Sequence, residues 1–213
     1  FRKILFIPLL AIWLIPFQHA RSQQISNQVA SSLSKTALRF EKLGLINLQG
    51  LDSTLAVHLL YATPDNFLGE ILYGDLTEAY LHPDAAHAVV KAQQELKKIH
   101  PNYSLIIYDA TRPISVQQKM WDSVKGTSKY IYVSNPARGG GLHNYGLAVD
   151  VSILDNNGNP LSMGTIVDHL GYEDHINEAG ELVRKGIITQ QERQNRQLLR
   201  KVMRTAGFKK TSS

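Results

Sequence analysis

The stretch Gly139–Asp150, GGGLHNYGLAVD, restricts the fold more than any other part of the chain. Three consecutive glycines suit a loop, because glycine loses more backbone freedom on ordering than any other residue. A β-like run follows at once, so a loop must feed directly into a strand here. His143 and Asp150 stand seven residues apart across that junction. Gly146 between them lets the chain bend back, which would bring a loop ligand and a strand ligand to one ion. From the residues alone an ordinary alternative stays open: His143 as a loop histidine and Asp150 as a strand residue that caps a turn.

The rest of the chain alternates β-like and helical patterns without a strict βαβ order. Leu55, Val57 and Leu59 alternate with Ala56 and His58, the period of a half-buried strand. Asp84 is placed to cap a helix with the apolar stripe Ala85, Val89, Ala92, Leu96 and Ile99, which ends at Pro101. Leu105–Tyr108 reads as a short buried strand leading into Asp109-Ala110-Thr111-Arg112-Pro113, and a helix from Ser115 through Trp121 follows. Ala148–Leu154 is a further strand, closed by the turn-rich Asp155–Pro160. Thr189 with Glu192 forms a capping box for a last helix whose apolar face is Leu198, Leu199, Val202, Met203 and Ala206, with Gly207 just past its end. These elements predict an α+β fold: one domain, a small, mainly antiparallel sheet and helices packed around it.

The 213 residues are enough for one domain with a sizeable core, and 43% hydrophobic with 19% charged residues argues against disorder. The N-terminus is different in kind. Arg2 and Lys3 precede 14 mostly apolar residues, Ile4–Phe17, and small residues, Ala20 and Ser22, then stand third and first before a cut after Ser22. That layout is a secretory signal peptide over 1–22, too short for a membrane span of about 20 residues. Residues 23–50, whose first part is rich in Gln and Ser, read as a leader, and 51–213 as the domain. The expectation is an exported protein, periplasmic or extracellular, with no stable membrane insertion after cleavage. Beyond residue 22 the chain carries 20 basic against 18 acidic residues, so its charge does not indicate nucleic acid. With no cysteine, an exported domain must rely on its core or on a metal rather than on disulfides.

Gly141-x-His143-x-x-Gly146-x-Ala148-Val149-Asp150 resembles the S-x-H-x-x-G-x-A-x-D motif of zinc D-alanyl-D-alanine dipeptidases and their carboxypeptidase relatives. Further segments resemble the dipeptidases in order: Tyr61-Ala62-Thr63 with Asn66-Phe67 and Gly69, Tyr108–Pro113, Met163-Gly164-Thr165 with Asp168, and Asn195-Arg196 through Ala206-Gly207-Phe208. The resemblance implies one zinc ion at the sheet with His143 and Asp150 among its ligands, and a small D-amino-acid dipeptide as substrate. It implies that Arg112 stabilises the transition state at the substrate carbonyl, a role suited to a rigid, permanently charged fork of donors. Read from the residues alone, Arg112 has a structural alternative, pairing with Asp109 or serving a turn held by Pro113. His58, His82, His87 and His100 lack a partner at metal spacing, and His169 and His175, near Glu173 and Glu178, read as loop histidines.

Three departures qualify the resemblance. The family takes its third ligand and its general base from an E-x-x-H element shortly after the Ala-Gly-Phe-like segment. None occurs in the sequence, which runs only five residues past Phe208 and begins with Phe1. The expectation is a partial sequence that would not catalyse unextended. Gly141 stands where the motif usually has serine. Ser162 stands where the dipeptidases often carry an aspartate, which would hold a free ammonium. That leaves two alternatives open: a D-Ala carboxypeptidase acting on longer cell-wall peptides, and a non-catalytic zinc- or peptidoglycan-binding domain.

Overall fold

The computed structural model describes residues 33–164 and 179–209. The expected signal peptide and the histidines at 169 and 175 lie outside them. In chain order the described elements are α1 (Lys35–Lys42), β1 (Ile46–Asn47), α2 (Leu48–Leu51), β2 (Ala56–Val57), β3 (Tyr80–Leu81), α3 (Pro83–Ile99), β4 (Ser104–Asp109), α4 (Ile114–Val124), β5 (Asp150–Leu154), α5 (Ala179–Arg184) and α6 (Gln190–Ala206). The α+β expectation holds.

Strand β4 is the centre of the fold. It pairs in parallel with β2 and antiparallel with β5, while β1 and β3 form a separate antiparallel pair. Five of the six β4 residues are buried, which is why Leu105–Tyr108 reads as a continuous apolar run and not as an alternation. Helix α3 turns Ala85, Ala86, Val89, Ala92 and Leu96 into the core, and α6 adds Val202 and Ala206. Each fully buried Leu, Ile or Val side chain there contributes roughly 1.5–3 kcal/mol.

Several boundaries differ from expectation for local reasons. Asp84 does not cap α3: Pro83 occupies its first position, suited to a residue without an N–H, so the cap falls to His82, whose Nδ1 accepts from the Asp84 N–H at 3.3 Å. The strand around Leu55–Leu59 shrinks to Ala56–Val57 because the chain turns into a 3-10 helix at Leu60–Ala62; Leu55 and Leu59 are buried all the same. The strand expected from Ala148 begins at Asp150, and the helix expected from Ser115 begins at Ile114. The segment 23–50, expected as a leader, joins the domain from α1 onward, since Ala37, Phe40 and Leu48 are core residues. The capping box of Thr189 and Glu192 forms as expected, and Gly207 closes α6 in the left-handed region.

Candidate metal centre

The site forms where the C-terminal end of β4 meets the N-terminal end of β5. A register shift between Ile107 and Asp109 brings Asp109 opposite Asp150. Past Asp109 the chain continues through Ala110 and Thr111 to Arg112, which α4 follows.

His143 arrives from the glycine-rich loop, on a 3-10 turn spanning Leu142–Tyr145. The turn is stitched to the end of β4. The Arg112 N–H donates to the His143 carbonyl at 2.9 Å, and Asn144 Nδ2 donates to the Arg112 carbonyl at 3.0 Å. Gly146 closes the turn at φ +68°, and a Cβ there would lie 2.7 Å from the His82 nitrogen. The glycine is thus required both by its conformation and by the close approach of β3's exit. Gly141 is favoured by space alone. Its backbone is extended, but a Cβ would meet Ser134 Oγ at 2.7 Å, so the serine usual in the motif does not fit without a shift.

The imidazole sits between two aspartates. His143 Nδ1 lies 2.9 Å from the Ala110 carbonyl and 3.3 Å from Asp109 Oδ2, while Nε2 lies 3.6 Å from Asp150 Oδ1. A carbonyl only accepts, so Nδ1 carries a hydrogen, and Nε2 is the ring nitrogen that faces Asp150. The 3.6 Å gap is too long for a hydrogen bond. It is close to the roughly 3.3 Å separating neighbouring ligand atoms around a tetrahedral ion with bonds near 2.05 Å. The donor set therefore fits a divalent metal: a neutral imidazole nitrogen with its other nitrogen tied to backbone, and a half-exposed carboxylate beside it.

Charge follows the same layout. Burial pushes the His143 imidazole toward neutrality, but the Asp150 and Asp109 carboxylates outweigh it and hold its pKa above the ordinary value. Close packing raises Asp150, yet His143 and then Arg112 keep its carboxyl below the usual range.

Arg112 is 8% exposed and held on three sides. Its Nη2 and Nε donate to Asp109 Oδ2 at 2.5 and 3.2 Å, its Nη1 donates to Gln117 Oε1 at 3.0 Å, and its guanidinium carbon stands 4.8 Å from the centre of the Tyr61 ring. The structural alternative for Arg112 is thus realised: it pairs with Asp109. The same pairing sets it beside the His143–Asp150 pair, because Asp109 Oδ2 faces both. Burial opposes the guanidinium charge, and Asp109 leads the groups that restore it.

Asp109, His143 and Asp150 together offer ligand atoms within 4.8 Å of one another. Sequence reasoning treated Asp109 only as a partner of Arg112 and overlooked Tyr73, whose hydroxyl donates to Asp109 Oδ1. The signal was available in the Asp-x-x-Arg spacing at a buried strand end. Tyr73 had none, since it comes from a loop remote in sequence. Ser162 is engaged elsewhere: its hydroxyl donates to Glu192 Oε1 at 2.7 Å and its carbonyl accepts from Asn195, which pins the segment to α6.

Comparison with known proteins extends this picture. The family described as D-ala-D-ala dipeptidase matches residues 41–213. Two proteins named D-alanyl-D-alanine dipeptidase are similar. The one from Escherichia coli is 28% identical over 169 residues, covering 79% of this chain and 80% of its own length. The one from Synechocystis sp. is 27% identical over 202 residues, covering 79% of this chain and 77% of its own.

Proposed function

Because the chain belongs to the D-ala-D-ala dipeptidase family of metallopeptidases, we propose that it hydrolyses D-alanyl-D-alanine, a peptidoglycan-derived dipeptide, with one zinc ion held by His143 and Asp150. The observation that carries the assignment is the orientation of the His143 ring. The Ala110 carbonyl takes the Nδ1 hydrogen and leaves Nε2 facing Asp150 at 3.6 Å.

A zinc ion held there by His143 and Asp150 would supply Lewis acidity toward the scissile carbonyl and a water acidified toward neutral pH. The chain's own residues do the rest. His143 and Asp150 hold the ion at the strand end, with Asp150 open to solvent and so to substrate. Arg112 presents its guanidinium to the carbonyl oxygen as negative charge develops, a contribution on the order of 3–4 kcal/mol for a preorganised donor. Among the described residues only Asp109 joins His143 and Asp150 in one ligand group. The third ligand and the base are assigned to the E-x-x-H element that the family resemblance implies.

A secreted location, periplasmic or extracellular, is supported by the layout of residues 1–22. Among the described residues no helix is long and apolar enough to cross a membrane.

The test is an assay of the full-length protein on D-Ala-D-Ala and on a pentapeptide ending in D-Ala, with zinc content measured before and after chelation. Dipeptide turnover that vanishes on zinc removal and returns on zinc addition is expected. Unchanged turnover of the metal-free protein would end the metal mechanism, and cleavage of the pentapeptide alone would replace the dipeptidase by a carboxypeptidase.

A further inference from the structure

Asp109 contacts both Arg112 and His143, yet it is 1% exposed and has no route to a substrate. Its Oδ2 receives Arg112 Nη2 and Nε and faces His143 Nδ1 at 3.3 Å, and its Oδ1 receives the Tyr73 hydroxyl. Both oxygens are therefore occupied by buried donors. We infer that Asp109 is the positioning residue of this centre: one carboxylate sets the direction of His143 Nε2 and of the Arg112 guanidinium together, and it does not ligate the metal. The inference rests on His143 and Asp150 being the metal site.

Three features of the geometry carry it. The first is the side of the ring. Asp109 meets His143 at the Nδ1 edge, whose hydrogen already goes to the Ala110 carbonyl, whereas Asp150 stands at Nε2. A ligand oxygen would have to reach the opposite edge. The second is the cost of moving. Turning either oxygen toward a metal would strip Arg112 or Tyr73 of its partner inside the protein, and a buried group left unpaired is strongly unfavourable. The third is the backbone. The register shift after Ile107 sets Asp109 opposite Asp150 on the neighbouring strand. Two aspartates from paired strand positions thus grip one imidazole from its two edges, one toward the ion and one away from it. Because one oxygen serves both His143 and Arg112, the electrophile and the ligand are set by a single group.

Asp109→Asn in the full-length protein is the test, read by zinc affinity from chelator competition, by steady-state kinetics and by the visible spectrum of the cobalt(II)-loaded protein. Zinc affinity 10–100-fold weaker is expected, the size typical of losing an outer partner of a ligand. The rate constant kcat should fall while KM stays within about twofold, since a misdirected Arg112 loses contacts made in the transition state. The cobalt bands should keep their intensity, because the number of ligands does not change. Arg112→Lys combined with Asp109→Asn should cost less than the product of the two single losses. Should Asp109→Asn fail to fold, Tyr73→Phe removes only the Oδ1 donor and is expected to lower zinc affinity and kcat in the same direction by several-fold. Wild-type zinc affinity and kcat in both variants would overturn the inference. So would cobalt bands in Asp109→Asn indicating a lost ligand, which would make Asp109 part of the coordination sphere. A wild-type protein that takes up no zinc removes the His143–Asp150 assignment as well, an outcome distinct from a zinc-binding wild type with indifferent variants.

Discussion

Strand β4 is anchored at both ends by buried polar side chains, and the two anchors differ in one respect. At its start, Gln93 of α3 donates to the Thr54 carbonyl and hydroxyl and to Ser104 Oγ, and accepts from the Leu105 N–H at 2.7 Å. That anchor is neutral and fully satisfied. At its end, Asp109, Arg112 and His143 do the corresponding work with ionisable groups. A neutral amide suffices to fasten a helix to a strand, whereas burying an ion pair carries a desolvation cost that packing alone does not demand. Charge at one end and not the other marks the end that has chemistry to perform.

Arg112→Ala should break the charged anchor most severely. Loss of the proposed donor to the developing oxyanion is expected to lower kcat about 10²–10³-fold. Asp109 is left buried opposite an empty space, which should cost about 3–5 kcal/mol in urea denaturation. A variant with full stability and full activity would show that the two ends of β4 are equivalent. Gly146→Ala should come next. The residue sits at φ +68° with a Cβ 2.7 Å from the His82 nitrogen, so the conformation alone is expected to cost about 1–3 kcal/mol. Zinc affinity should fall with it, because His143 moves with the turn; loss of stability with unchanged zinc affinity would separate the turn from the site.

Gln93→Leu sharpens the comparison from the neutral end. It leaves the Leu105 N–H without its buried acceptor, an expected loss of about 1–3 kcal/mol. Activity per folded molecule and zinc affinity should stay at wild-type level. A drop in kcat would mean that the start of β4 is coupled to the site and that the contrast between its ends is only one of charge.

How much of this is visible in the sequence depends on distance along the chain. The approach of His143 to Asp150 and the turn at Gly146 were legible because loop, turn and strand all lie within twelve residues. The buried run Leu105–Tyr108 and the box of Thr189 with Glu192 were legible for the same reason: periodicity and capping are local. Three features were not. Tyr73 meets Asp109 across 36 residues. Ser134 fills the space beside Gly141, so the reason for glycine there lies in tertiary packing and not in the motif. Residues 35–50 read as a leader because they follow a Gln- and Ser-rich stretch, and only tertiary packing shows that Ala37, Phe40 and Leu48 reach the core.

Acid provides the smallest and most discriminating perturbation. Away from β4, Asp75 caps the start of α1 from outside the helix: its Oδ1 takes the Thr36 hydroxyl at 2.6 Å and its Oδ2 takes the Lys35 N–H at 2.9 Å. The Thr36 hydroxyl, followed by the backbone donors, holds its carboxyl below the usual range, and the Thr189 N–H and then Ser162 do the same for Glu192. A carboxyl depressed in the folded state binds fewer protons there than in the unfolded chain. Its stabilisation is therefore complete above the ordinary carboxylate value of about 4 and is lost as pH falls through the lower folded value. Asp75→Asn should flatten the acid limb of the urea midpoint against pH by lowering the midpoint at neutral pH, with little change at the acid end. With zinc on the proposed ligands His143 and Asp150, its release would follow a different set of protons, those competing for these two residues. Its midpoint pH should be the same in Asp75→Asn as in the wild type. A shift of zinc release together with the acid limb would mean that scaffold and site unfold as one unit, and would remove the distinction between the end of β4 that binds and the structure that merely holds it.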